Sequence, residues 1–253
     1  MLKPRVVPVL LLSEGRMVKG KQFTAYRETG LPRTTVRVYS AQDADELCFI
    51  NLDSTPSGFE SLIEVLYDAA EECFMPLAAG GGVQTLEQIQ ALFRAGADKV
   101  LITSHAFRSP DLITQAARQY GSQSIIAGID FFETTNGPAV ALDHGQTPLH
   151  DDICTYAQSL QQAGAGELFL NCISRDGMMQ GYDLSTCNKV SEAVTIPVIA
   201  CGGAGNYQHL AEALSQTKVS AVACASLFHF GDNNPIRARS FLRNCGIPMR
   251  ELK

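Results

Sequence analysis

No two cysteines in this chain have Cys-x-x-Cys spacing, and its five histidines show no metal-ligand spacing. The eight cysteines are scattered, so zinc-site and disulfide-framework readings are both poor. Reduced, mostly buried thiols are expected, with no metal and no cofactor. Basic charge is scarce: 20 Lys and Arg against 26 Asp and Glu give a net charge of −6, which offers no footprint for nucleic acid. Small molecules or proteins are therefore the expected partners. Long apolar runs are missing too. The run Val6–Leu12 is too short for a signal-peptide core and is interrupted by Pro8, and no later run approaches the roughly 18 residues of a membrane span. A cytoplasmic protein that does not enter a membrane is expected.

What the chain has is alternation. Short apolar, β-rich runs are followed by longer amphipathic ones, the pattern of βα units feeding a parallel sheet. Eight strands are predicted, at Arg5–Leu12, Glu46–Leu52, Met75–Ala79, Lys99–Thr103, Ser124–Asp130, Glu167–Ile173, Ile196–Ala200 and Val219–Ala225. The intervening helices are predicted near Thr34–Gln42, Gly58–Cys73, Leu86–Ala95, Pro110–Tyr120, Asp151–Ala163, Leu184–Ala193, Tyr207–Ser215 and Pro235–Asn244, several of them opening on capping residues. With 253 residues, 45% hydrophobic and 18% charged, the chain has the length of one (β/α)8 TIM barrel, ~250 residues. The expectation is an α/β fold, a single barrel over residues 1–253. Two long interruptions follow the first and fifth strands: a polar stretch Ser13–Pro32, and Phe131–Pro148, which reads as a loop or small hairpin. Long loops at the C-terminal ends of barrel strands usually carry function, although either could be surface decoration.

The sequence also repeats itself. Glu46-Leu47-Cys48-Phe49 returns as Glu167-Leu168-Phe169-Leu170, and Gly80-Gly81-Gly82-Val83 returns as Gly202-Gly203-Ala204-Gly205. Two half-barrels, about 1–120 and 121–253, follow from this spacing. Glycines directly after a strand let backbone N–H groups approach an anion, although a lone Gly-Gly is equally well a tight turn. Two copies, each followed one strand later by a hydroxyl (Thr103-Ser104 and Ser226), point to two phosphate sites of the phosphate-binding barrel type, at Gly82, Gly202 and Gly203. Two sites on opposite rims of one mouth imply a ligand phosphorylated at both ends. The fifth strand ends in Asp130, which is read either as a catalytic carboxylate or as a cap on the next segment. Its counterpart by the repeat falls in Val9-Leu10-Leu11-Leu12, where there is no carboxylate.

Several stretches resemble the HisF family, the cyclase subunit of imidazole glycerol phosphate synthase. They are Gly15-Arg16-Met17-Val18-Lys19-Gly20, Gly80-Gly81-Gly82, Gly96-Ala97-Asp98-Lys99-Val100, Gly121-Ser122-Gln123, Arg175-Asp176-Gly177, Gly181-Tyr182-Asp183, Gly202-Gly203-Ala204-Gly205 and Phe228-His229-Phe230. The resemblance covers essentially the full chain. It implies that ammonia from a HisH-type glutaminase bound beneath the barrel is used at the top to cyclise a bis-phosphorylated substrate. It also adds Gly177 to the phosphate-binding residues and makes Lys19 a substrate-loop residue. The family uses two aspartates. Asp130 matches one, and Leu11 stands at the position of the other. A leucine cannot carry a proton, and a general acid or base supplies about 10²–10⁴ in rate, so cyclisation should be impaired. Other mouth positions differ as well: Asn51, Thr103, Ser174 and Cys201 stand where the family usually has Asp, Asn, Asp and Ser.

At the other end, the family's ammonia gate of Arg, Glu, Lys and Glu, on alternate strands, is matched by Arg5, Glu46, Lys99 and Glu167. Asp98 matches an acidic residue that contacts the glutaminase. A purely structural salt-bridge network is the competing reading of these charges. The combination resembles a HisF-like subgroup, the acetamidino-modification proteins of surface-glycan biosynthesis, which share the Leu10-Leu11-Leu12 and Glu72-Cys73-Phe74-Met75-Pro76 stretches. The first loop, Gly15–Gly20, looks more like the standard cyclase. The resemblance therefore implies a subunit passing ammonia from a glutaminase to a sugar amidotransferase. The alternatives are a cyclase of the lyase class in histidine biosynthesis, or a phosphate-binding barrel with other chemistry at Asp130. The related sugar-phosphate isomerase of histidine synthesis needs an aspartate in each half and meets the same objection.

Overall fold

The computed structural model describes residues 3–149, 151–229 and 232–251, so Phe230 of the Phe228-His229-Phe230 stretch lies outside the described residues. In chain order the elements are β1 (Arg5–Ser13), β2 (Arg16–Lys21), β3 (Thr24–Gly30), α1 (Pro32–Ala41), β4 (Leu47–Asn51), α2 (Pro56–Ala70), β5 (Leu77–Gly80), α3 (Leu86–Arg94), β6 (Lys99–Ile102), α4 (Ser104–Arg108) and α5 (Pro110–Tyr120). They continue with β7 (Ile125–Thr134), β8 (Gly137–Leu142), β9 (Thr147–Pro148), α6 (Ile153–Ala163), β10 (Glu167–Cys172), α7 (Leu184–Ala193), β11 (Val198–Cys201), α8 (Tyr207–Gln216), β12 (Ala221–Cys224), α9 (Ser226–His229) and α10 (Pro235–Asn244). Strands β1, β4, β5, β6, β7, β10, β11 and β12 pair in parallel in that order, and β12 returns to β1. The sheet therefore closes into an eight-stranded barrel with helices between the strands, a (β/α)8 TIM barrel.

Side chains that alternate along each strand divide two cores. Val7, Val9, Leu11, Cys48, Ala78, Leu101, Ile126, Phe169, Ile199, Ala221 and Ala223 fill the barrel interior. Their neighbours, such as Val6, Leu10, Leu12, Leu47 and Phe49, pack outward against the helices. On β1, then, Arg5 and Leu11 share the inner face, separated by six residues or about 20 Å of strand. The same strand marks both ends of the barrel axis.

Helix starts follow local chemistry. Asp152, Asp183, Asn206 and Asn234 accept from the backbone N–H three residues on, and Thr85 with Gln88 forms a reciprocal capping box. Two helices begin earlier than expected, at Pro32 and Pro56, because proline is pre-set for the first helical position. The polar stretch after β1 is not a loop. It forms the antiparallel pair β2 and β3, turned by positive φ at Gln22 and Phe23. After the fifth barrel strand, β7 runs on to Thr134 and pairs with β8 in a hairpin, and α4 and α9 are short helices that periodicity did not reveal.

Two expectations are corrected in register. The gate residues come from the first, second, fourth and sixth barrel strands rather than alternate ones, since β1 and β4 are adjacent. The glycine repeat matches Gly81 to Gly202 and Gly82 to Gly203, one position later than the sequence alignment. At Gly81 (φ +96°) a Cβ would lie 2.0 Å from Asn51 O, and at Gly202 (φ +87°) 2.5 Å from Cys172 O, so both turns need glycine for the same reason.

Candidate functional site

The C-terminal ends of the eight strands form a mouth with two cavities. The larger, of about 300 Å³, is lined by Gly82, Thr103, Ser104, Leu11 and Asp130 among others. The smaller is lined by Lys19, Gly177, Cys201, Gly202, Gly203 and Ser226. The structure thus sorts the expected phosphate residues into two groups, one per Gly-rich turn. Leu11, Ile50, Asn171 and Phe23, the last carried over the mouth by the β2–β3 hairpin, line both cavities and stand between them.

The two walls of this partition differ in chemistry. Leu11 lies in register with Ile50, and Asp130 in register with Asn171. One wall is aliphatic and the other polar. Asn171 Nδ2 donates to Asp130 Oδ1 at 3.1 Å. Desolvation in the barrel wall pushes the Asp130 carboxyl up to about 7, a rise opposed by the Asn171 hydrogen bond and assisted by the charge of Asp176. Near neutral pH this group can therefore both hold and release a proton. Leu11, opposite, can do neither.

Lys19, on β2, is buried, and its Nζ donates to Asp176 Oδ1 and Oδ2 at 2.9 and 3.1 Å. This pair ties the hairpin to the loop after β10. Ser104 Oγ accepts from Asp143 N at 2.9 Å, which leaves its own hydroxyl proton free to donate, and Arg108 pairs with Asp143 beside it. Asn51 lines the larger cavity, with its Nδ2 donating to Asp53 O at 2.8 Å. Ser174 Oγ accepts from Glu133 N at 3.0 Å. Burial raises the Cys201 thiol far above its ordinary value and pushes Cys172 up to about 12, so neither is a thiolate nucleophile at neutral pH. Burial also lowers His229 to about 4; neutral, it lies with Nε2 3.3 Å from Val9 O.

At the opposite end, the charged residues close into a ring. Arg5 pairs with Glu46 and Glu167, and Lys99 Nζ reaches both Glu46 oxygens at 3.1 Å and Glu167 Oε2 at 2.9 Å. Burial disfavours the charge on Arg5, but Glu167 and Glu46 outweigh it and hold the guanidinium above its usual value. Two cations alternate with two buried anions, so the ring is neutral and paired throughout. Asp98 is exposed on the same face, where its Oδ2 accepts from Leu77 N at 2.8 Å. Phe74, 87% exposed, precedes β5 at this end, between the strands that carry Glu46 and Lys99. Nearby, Arg239, with no exposed surface, bonds Asp43 and Asp45 at 2.6 and 2.9 Å, and Arg250 joins the same two carboxylates.

Sequence reading missed Asn171, Phe23, the Arg108–Asp143 pair and the Arg239 cluster. Asn171 alone left a signal: the repeat sets it against Ile50. Among the described residues no group of three or more His, Cys, Asp and Glu could hold a metal ion, and no helix is long and apolar enough to cross a membrane.

Comparison with known proteins gives two findings. Residues 5–234 match a family model described as "Histidine biosynthesis protein". A relative from Trichormus variabilis, "Imidazole glycerol phosphate synthase subunit HisF", is 39% identical over 254 aligned residues, covering 99% of each chain.

Proposed function

The chain belongs to the HisF family, and from that premise we propose that it is the barrel subunit of a glutamine amidotransferase complex. A HisH-type glutaminase docks on the base around Arg5, Glu46, Lys99, Glu167 and Asp98 and releases ammonia there. The ring parts to admit it, and the barrel interior, thinned by Ala78, Ala221 and Ala223, conducts it toward the mouth. At the mouth a phosphorylated small molecule binds through Gly82, Thr103 and Ser104, and through Gly177, Gly202, Gly203 and Ser226, with Lys19 closing over it. The final acceptor is a nucleotide sugar, amidinated by a sugar amidotransferase of surface-glycan biosynthesis.

One observation carries this reading: the base ring is complete and neutral, while the mouth has Leu11 against Ile50 where the other wall has Asp130 against Asn171. Ammonia delivery uses the first feature and cyclisation the second. Of the equivalent pair Leu11 and Asp130, Asp130 has a proton to exchange and Leu11 has none, so a step that uses these two positions as acid and base is served on one side only. The test is an assay of the purified chain with ammonium and the bis-phosphorylated cyclase substrate, run beside a homologue with both aspartates. Equal turnover would overturn the reading.

A second reading, a cyclase of the lyase class, is favoured by the 39% identity over 99% of a relative named imidazole glycerol phosphate synthase subunit HisF. It requires another group to act in place of Leu11.

A further inference from the structure

Phe74 is the most exposed large apolar side chain among the described residues, at 87% against 56% for Leu31 and 55% for Tyr67. Its neighbours keep it from turning inward. Cys73 packs against the outer core and its Sγ donates to Met75 O at 3.3 Å, while Met75 is itself buried in that core. Pro76 O accepts from Leu47 N at 2.9 Å, and Leu77 makes two bonds with Asp98, its N donating to Oδ2 at 2.8 Å and its O accepting from Asp98 N at 2.7 Å. Phe74 is therefore held outward at one place, and its phenyl group could enter the core only by expelling Met75. An aromatic group left in water forfeits the stabilisation that burial gives, and one already fixed costs little further entropy to capture. These are the properties of an interface anchor.

The charge around it has one sign in excess. Asp68, Glu71, Glu72 and Asp98 lie at the base end of α2, in the loop after it and just before β6, against Arg94 and Arg33, the latter pairing with both glutamates at 3.3 Å. This side of the base is acidic, whereas the adjacent ring of Arg5, Glu46, Lys99 and Glu167 is neutral and paired within itself. We infer that Phe74 is the anchor by which this chain selects its glutaminase, and that the partner offers an apolar socket rimmed with Lys or Arg where the phenyl group enters. This rests on the reading of the base as the glutaminase face. A glutaminase with a polar or acidic surface at that point is rejected, because it leaves Phe74 unburied or sets acid against acid. Passage of ammonia and choice of partner then belong to different residues of the base.

The test uses the full chain and each HisH-type glutaminase of the source genome, with the dissociation constant measured calorimetrically. Phe74→Ser is expected to weaken the complex by at least about 30-fold, as loss of a buried aromatic anchor does. Phe74→Leu should stay closer to the native value, and Ile236→Ser, on α10 away from the base, should match it. Because Phe74 is exposed, its variants should keep the native melting temperature, which separates lost binding from lost folding. Phe74→Lys should bind more weakly than Phe74→Glu, and the reverse order overturns the basic rim. Native binding that Phe74→Ser leaves unchanged overturns the anchor while the docking reading stands. Failure of the native chain to bind any of the glutaminases overturns both.

Discussion

Leu11 and Asp130 hold equivalent places on opposite walls of one barrel mouth: each is the inward residue on its strand and lies in register with an inward residue of the next strand, Ile50 for Leu11 and Asn171 for Asp130. The isobutyl group of Leu11 therefore stands at the point in one half that corresponds to the Asp130 carboxylate in the other.

Leu11→Asp should restore part of a lost activity. Ammonium-dependent cyclisation by the native chain is expected to be at least ~10² slower than in a homologue with both aspartates, and the substitution should raise it. Initial rates at saturating ammonium measure both. Native turnover equal to that of the homologue would show that another group has assumed the acid role.

Asp130 also sets a pH dependence of stability. Its folded value, about 7, lies above that of an unfolded aspartate, near 3.9. The folded chain therefore holds the proton more tightly. The stabilisation is fully present below about pH 4 and is lost as pH rises through about 7. Asp130→Asn removes this dependence. Its melting temperature should gain on the native chain between pH 4 and 7 and run parallel above that range; parallel curves throughout would mean that the carboxyl is not desolvated.

The base ring gives a test in the form of a ratio. Lys99→Leu removes one of two cations that face buried Glu46 and Glu167. Product formed from glutamine should fall, in the reconstituted complex with a HisH-type glutaminase, more than product formed from free ammonium, which enters at the open mouth. An unchanged ratio with both activities readily measurable would leave the ring a structural feature alone.

Anion binding at the second turn should be separable from the first. Gly203 has φ +113°, and a Cβ there would stand 2.1 Å from Gly181 O, so Gly203→Ala must displace the turn. Crystals grown in sulfate are expected to show an anion at Gly82 and Ser104 in both proteins, and at Gly203 and Ser226 only in the native chain. An anion retained at Gly203 in the variant would contradict the assignment.

Arg239→Met is expected to cost about 3–5 kcal/mol, because it strips a fully buried cation from Asp43 and Asp45 and leaves buried Asp45 with half-exposed Arg250 as its one ion-pair partner beside the Val6 N–H. The midpoint of urea unfolding reports it. A loss within about 0.5 kcal/mol, the range of ordinary surface substitutions, would refute the role.

Much of the barrel was legible because its signals are local. Strands such as Glu167–Cys172 and helices such as Leu184–Ala193 announce themselves by apolar period and caps. The β2–β3 hairpin escaped because its residues are polar and its turn is made by Gln22 and Phe23 at positive φ rather than by glycine. The Gly-rich repeat was visible but one position out of register, since the sequence does not reveal which glycine faces which carbonyl. Phe23 was invisible for a different reason, and Asn171 left no more than its place opposite Ile50 in the repeat: both matter because they stand between two cavities that only the closed barrel creates.

The charges at the base also say which pieces of this chain can assemble. The first four barrel strands bring Arg5 and Lys99 against Glu46, an excess of one positive charge, and the last four bring only Glu167. Around Arg239 the sense is reversed, with Asp43 and Asp45 from the first part and Arg239 and Arg250 from the second. Each part is thus the other's counter-ion at two places. Two copies of the first would bury two uncompensated positive charges in the ring and four negative ones beside it, and two copies of the second would bury the opposite. Fragments of this barrel, expressed together, should therefore recombine as unlike pairs and reject their own kind.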